Sequence, residues 1–205
     1  MNKSTMYRIY KSEKTVSFRK TTEKWGGLSN MAKGYPLLIN NIPIQSSEIL
    51  YQACRYPEHP DIQKLIITNS NPFEAKKIAR KYDALTRAGW EENRVSIMKW
   101  CVRVKLCQNW KPFFELLNAT NEANIVEHSD KDIFWGARKE SDNSFYGINV
   151  LGRILMETRE LARKKGQDGF LIIPPLKIDR FDILGDPISI IRADKPDNSP
   201  IIPLF

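Results

Sequence analysis

Apolar positions along the chain recur mostly every three or four residues, and only a few short stretches alternate. The pattern predicts a mostly helical protein with a small amount of sheet. Between residues 7 and 20, Val16 and Phe18 stand among polar neighbours and predict a strand. Residues 35–44 read as two short strands around Asn40-Asn41, a pair that suits a two-residue hairpin. Ser46-Ser47-Glu48 opens a helix: serine caps it, and Glu48 in the first turn complements the helix dipole. On that helix Ile49, Leu50, Ala53 and Cys54 form the core side, with Glu48, Gln52 and Arg55 as a polar stripe along its edge.

Residues 61–68 predict a second helix, and Asn71-Pro72 begins a third through Ala75, Ile78 and Ala79, with proline in its first turn. The longest helix spans residues 90–108. Stepping by three or four from Trp90 reaches Arg94, Met98, Cys101 and Lys105, so a lysine closes a largely apolar stripe. A short helix is expected over residues 113–118. Ser129 to Gly136 is a loop that sets acids beside large rings, followed by a polar loop and then a final helix. Asn149 is its expected N-cap, Val150, Leu151, Ile154, Leu155 and Leu161 form its apolar stripe, and Arg163-Lys164-Lys165 precede its end near Gly166.

After residue 169 the composition shifts. Phe170 to Leu176 and residues 188–191 are β-like runs broken by prolines. The expected division is a domain over residues 1–169 and an extension over residues 170–205 that packs back on it or contacts a partner. The ending Ile201-Ile202-Pro203-Leu204-Phe205 is too apolar for a free terminus. The expected fold class is α+β: one mostly helical domain with a small sheet and an extended C-terminal tail.

Composition narrows the possibilities. A chain of 205 residues suits one domain with a full core, and 41% hydrophobic with 27% charged residues fits a soluble globular protein. No run approaches the apolar length of a bilayer span and no apolar signal core follows the N-terminus, so a cytoplasmic location and no membrane partner are expected. The three cysteines, Cys54, Cys101 and Cys107, have no CxxC spacing, and His59 and His128 are the only histidines. Neither a disulfide framework nor a metal site is expected, and no cofactor. Lysine and arginine total 32 against 24 acids, a net charge of +8 that favours a polyanionic partner.

Three stretches carry candidate chemistry. Asp132 and Trp135 lie shortly before a helix start, an arrangement suited to a ring bearing phosphates. The paired glycines of Trp25-Gly26-Gly27-Leu28-Ser29-Asn30 suit close backbone approach to a ligand. Lys105, at the end of its apolar stripe, is expected to be partly desolvated, which lowers its pKa and makes its amine a better nucleophile.

Four segments stand in order: Trp25 to Asn30; Ser46-Ser47-Glu48 with Tyr51-Gln52-Ala53; Trp90 leading to Met98 and Lys105; and Asp132 to Gly136 with Gly147 to Gly152. Together, over roughly residues 15–165, they resemble the NADAR family of YbiA-like N-glycosidases. Arg55 stands where those members typically have lysine. The run Leu50 to Pro57 looks more like the branch found beside DarT-type toxins, which attach ADP-ribose to guanine in DNA. That resemblance implies a hydrolase that removes ADP-ribose from the exocyclic amine of guanine, acting as antitoxin. ADP-ribosylated DNA, the ADP-ribose product and a DarT-type toxin would be its partners. The alternatives are an N-glycosidase acting on riboflavin-pathway intermediates, and a non-catalytic module that binds NAD or ADP-ribose or neutralises a toxin by contact. Both substrates join a ribose carbon to an exocyclic amine, so a carboxylate is needed near the sugar and a proton donor near the base. Glu48, Asp132 and Lys105 are the expected catalytic residues. Lys105 is either the donor or a nucleophile that traps the opened sugar as an imine. Trp90 and Trp135 would stack on a base or wall the pocket. Gly27, Asn30, Arg55, Asn149 and Gly152 complete the expected substrate-binding set.

Overall fold

The computed structural model describes residues 6–193. In chain order the strands and helices are β1 (Arg8–Lys11), β2 (Thr15–Phe18), β3 (Leu37–Ile39), β4 (Ile42–Ile44), α1 (Ser47–Ala53), α2 (Pro60–Ile67), α3 (Pro72–Lys81), α4 (Trp90–Gln108) and α5 (Trp110–Asn118). They continue as β5 (Asn124–Glu127), β6 (Arg138–Ser141), β7 (Ser144–Gly147), α6 (Val150–Lys165), β8 (Ile172–Ile173), β9 (Asp182–Ile183), β10 (Asp186–Pro187) and β11 (Ile191–Arg192). The fold is α+β, mostly helical with small separate sheets. None of the described helices is long and apolar enough to cross a membrane. Residues 6–32 with 111–166, and residues 33–110 with 167–193, make two compact units.

In the first unit, the strand expected between residues 7 and 20 is two strands. A short helical turn over Ser12–Lys14 separates them, so β1 pairs antiparallel with β7 while β2 pairs in parallel with β5. The polar loop expected before the last helix is instead the β6–β7 hairpin. Its first strand, Arg138–Ser141, is exposed at every position, so no alternation marks it. Backbone pairing at a charged sheet edge makes it a strand. Tyr10 of β1, Val126 of β5, Ala137 and Phe145 of β7 form a buried cluster, and α6 lies along β5.

Asn149 opens α6, but its side chain does not cap the helix. Its backbone is left-handed, with φ 53°. Its carboxamide instead ties the helix start to β5, accepting from Glu127 N at 3.2 Å and donating to Ile125 O at 2.8 Å. Gly152 lies one turn further on, so close to β5 that an added Cβ would sit 2.0 Å from Ile125 O.

In the second unit the expected helices form where periodicity and caps place them. Ser46 Oγ accepts from Ile49 N at 3.3 Å to start α1, and Asn71 Oδ1 accepts from Phe73 N at 3.0 Å to start α3. Asn40 and Asn41, with φ of 49° and 65°, turn the β3–β4 hairpin as their sequence implied. Helix α1 packs against α2, α3 and α4.

Residues 170–193 are not simply extended. They contribute β8 to β11 and lie on this unit's helices. Phe181 meets Trp100 edge-on at 4.9 Å, and Trp100 Nε1 donates to Pro174 O at 2.9 Å. Arg87 of this unit donates to the carbonyls of Asp179 and Arg180. The apolar ending Ile201 to Phe205 lies outside the described residues.

Candidate active site

Helix α1 is short because Pro57 and Pro60 follow closely, and it is buried along its whole length. The stripe of Glu48, Gln52 and Arg55 therefore does not run along a wet edge. Glu48 is 5% exposed and Gln52 4%. Buried polar groups at helical spacing satisfy one another here. Gln52 Nε2 donates to Glu48 Oε1 at 2.8 Å, and Gln52 Oε1 accepts from Arg55 Nη1 at 3.2 Å. Arg55 Nη2 continues the chain to Asp83 Oδ1 at 2.6 Å and Thr86 Oγ1 at 2.9 Å. Lys76, from α3, brings its ammonium to 3.6 Å from Glu48 Oε1.

Tyr51 and Trp90 close over this network, their ring centroids 5.1 Å apart. The Arg55 guanidinium lies 5.5 Å from the Trp90 ring centre. Burial, then the negative charge of Glu48, pushes the Tyr51 hydroxyl far above its ordinary pKa. Across the α1–α4 seam Cys54 and Cys101 share a side-chain hydrogen bond, and the Cys101 thiol is raised first by burial and then by that bond.

Lys105 follows the expectation drawn from its stripe, and goes further. It is fully buried, and burial alone holds its amine well below the ordinary lysine value. Its Nζ lies 4.2 Å from the centre of the Tyr35 ring. The loop carrying Tyr35 is fastened to the end of α4. Gln108 exchanges hydrogen bonds with both backbone groups of Leu38, at 2.8 and 3.0 Å, and Asn109 Nδ2 donates to Pro36 O at 3.2 Å. Trp90 and Lys105 stand at opposite ends of α4. The helical rise separates them by roughly 22 Å, so they cannot flank the same sugar.

The remaining candidates lie in the first unit. Asp132 builds the turn that carries its neighbours: its Oδ1 accepts from Phe134 N at 3.1 Å and Trp135 N at 2.9 Å, while its own N–H donates to Ser129 Oγ at 3.0 Å. The Phe134 and Trp135 rings meet edge-on at 5.1 Å. The carbonyls of Phe134 and Trp135 accept from Val150 N at 2.9 Å and Leu151 N at 3.0 Å. Two N–H groups at the α6 terminus that an anion would use are therefore already engaged. The contacts of Asn149 and Gly152 at this end are architectural. Asn30 is buried, and an added Cβ at Gly26, the first of the paired glycines, would sit 2.3 Å from Thr21 O.

The structure thus joins Glu48, Arg55 and Trp90 in one network, places Lys105 further along the helix beneath it, and groups Asp132, Trp135, Asn149 and Gly152 about the start of α6. Sequence reading gave no role to Tyr35, Tyr51 or Lys76, although Tyr51 stood in the Tyr51-Gln52-Ala53 segment of the resemblance. Tyr51 could have been found from its position three residues after Glu48. Tyr35 and Lys76 come from separate elements, and no local pattern marks them.

The chain matches the NADAR domain family over residues 17–163. It belongs to the NADAR family. Over 150 residues it is 33% identical to a riboflavin biosynthesis protein of Vibrio vulnificus, covering 72% of this chain but only 38% of that longer protein. It is 30% identical over 145 residues to the N-glycosidase YbiA of Escherichia coli, covering 71% of this chain and 86% of YbiA. The NMR structure of E. coli YbiA superposes with a TM-score of 0.63 at 30% identity, over 74% of this chain and 86% of that one.

Proposed function

We propose that this NADAR protein is a glycosidic-bond hydrolase that removes ADP-ribose from the exocyclic amine of guanine in DNA, as antitoxin to a DarT-type ADP-ribosyltransferase. The observation that carries the proposal is the wholly buried Lys105, whose amine burial shifts toward the neutral, nucleophilic form. Opening of the ribose ring sends the C1–O4 electron pair to O4, which takes a proton, and leaves C1 doubly bonded to the guanine amine nitrogen. The Lys105 lone pair adds at C1. The guanine nitrogen gains a proton and leaves as Nζ loses one, giving a lysine imine. Water then adds at C1 and expels Nζ, so ADP-ribose and the free amine are regenerated.

Glu48, buried and held by Gln52 and Lys76, has the setting of a carboxylate that favours positive charge on the sugar and moves protons. Asp132 is assigned as the second acid on the family resemblance. Trp90, Trp135, Gly27, Asn30 and Arg55 remain the proposed substrate-binding set, while Asn149 and Gly152, engaged with β5, would serve it by holding the start of α6 in place. The +8 charge and Arg55 support nucleic acid as the carrier of the modified base.

A second reading is cleavage of free riboflavin-pathway intermediates, favoured by the likeness to the Vibrio vulnificus riboflavin biosynthesis protein. Incubation with guanine-ADP-ribosylated DNA and with those intermediates, side by side, separates the two. The proposal expects kcat/KM on the modified DNA to exceed that on the intermediates by roughly 100-fold. Cleavage of the intermediates alone would establish the second reading, and cleavage of neither would overturn both.

A further inference from the structure

An amine with no exposure to solvent cannot meet a sugar carbon unless something beside it moves. The half-buried Tyr35 ring lies with its face 4.2 Å from Lys105 Nζ. Its loop is anchored beyond the ring, where Asn109 holds Pro36 O and Gln108 holds Leu38. Before the ring stands Gly34, with φ +90° and open space around its α-carbon. A loop fastened on one side and hinged on a glycine at the other can swing a ring without disturbing the helix beneath it.

We propose that Tyr35 is a positioning residue for the reaction: its ring is a cover that excludes water from Lys105 between turnovers and swings aside to admit the sugar. This rests on the reading of Lys105 as the amine that meets the substrate. Two effects of the ring oppose each other. Its π-face favours a charged amine, worth about one pH unit. Excluding water disfavours the charged amine by up to about three to five units. Exclusion wins, in keeping with burial as the cause of the lowered Lys105 value. The titratable groups on elements packed against α4 are Glu48, Tyr51, Cys54 and Arg55 at α1, Asp168 after α6 and Arg192 on β11. None of them is a cause of that lowering. Burial also raises the Tyr35 hydroxyl, so the cover itself stays neutral.

The test is competitive labelling of the full chain with trace acetic anhydride across a pH series, with Lys105 acetylation read by peptide mass spectrometry. The wild-type midpoint is expected below that of exposed lysines. In Tyr35→Ala it should rise by about one pH unit or more, and the neutral amine should label roughly ten-fold faster. Tyr35→Phe should behave as wild type. Asn109→Ala, which removes the bond to Pro36 O, together with one to Lys105 O at 3.1 Å, and keeps the ring, should move midpoint and rate the same way by less, and stands in if Tyr35→Ala does not fold. A midpoint and rate in Tyr35→Ala equal to wild type would overturn the cover. So would an unmoved Asn109→Ala should Tyr35→Ala prove unfolded. The labelling needs neither substrate nor turnover. Its failure leaves the Lys105 chemistry standing, and the absence of any lysine adduct with substrate leaves the cover standing.

Discussion

Lys105 shows how far one residue can be read from a sequence. Its place on the stripe of Met98 and Cys101 was enough to expect desolvation. Its complete burial was not legible, because its surroundings include groups distant in sequence, among them Tyr35 about seventy residues earlier. The same holds for Glu48, whose first-turn position is local but whose ion pair with Lys76 spans two helices. The buried amine has a consequence for stability. In the unfolded chain Lys105 titrates near about 10.4, and in the folded protein well below it. Between those values the unfolded state binds more protons, so stability rises with pH. This contribution is fully present above the unfolded value and is lost as pH falls through the folded one. Lys105→Met lacks it. Urea unfolding from about pH 6 to pH 10 should show wild type gaining on Lys105→Met, by up to about 1.4 kcal/mol per pH unit within the window. Parallel stability curves would show that the amine is hydrated in the folded protein.

The helices were legible because each carries its own evidence: an apolar period, a serine or asparagine cap, a proline in the first turn. The β6–β7 hairpin was not, since Arg138–Ser141 faces water at every position and leaves no alternation to read. Nor was the filled terminus of α6. Asn149 has the composition of a cap, and only the structure shows its carboxamide turned toward β5 instead. Gly152 is the position on which this packing depends most. Gly152→Ala drives a methyl against the Ile125 carbonyl and should cost about 3 kcal/mol. Gly34→Ala, strained in φ but unobstructed, should cost about 1 kcal/mol. Urea midpoints of the two variants measure the difference. A Gly152→Ala protein as stable as wild type would mean that α6 and β5 separate freely.

For the molecule as a whole, the resemblance read from the sequence rests on four ordered segments, each weak alone. The family match over residues 17–163 falls within the roughly 15–165 over which those segments suggested the likeness. Charge is the other whole-chain property, and +8 draws the proposal toward DNA without choosing the reaction. The proposed reaction turns on a covalent bond to one lysine. The most direct measurement is borohydride treatment of the full chain during turnover of guanine-ADP-ribosylated DNA, followed by peptide mass spectrometry. The account predicts a reduced ADP-ribose adduct on Lys105, absent from Lys105→Arg, which keeps the charge and cannot form the imine. No adduct in the wild type, together with appreciable turnover by Lys105→Arg, would contradict it and leave Lys105 only an electrostatic role.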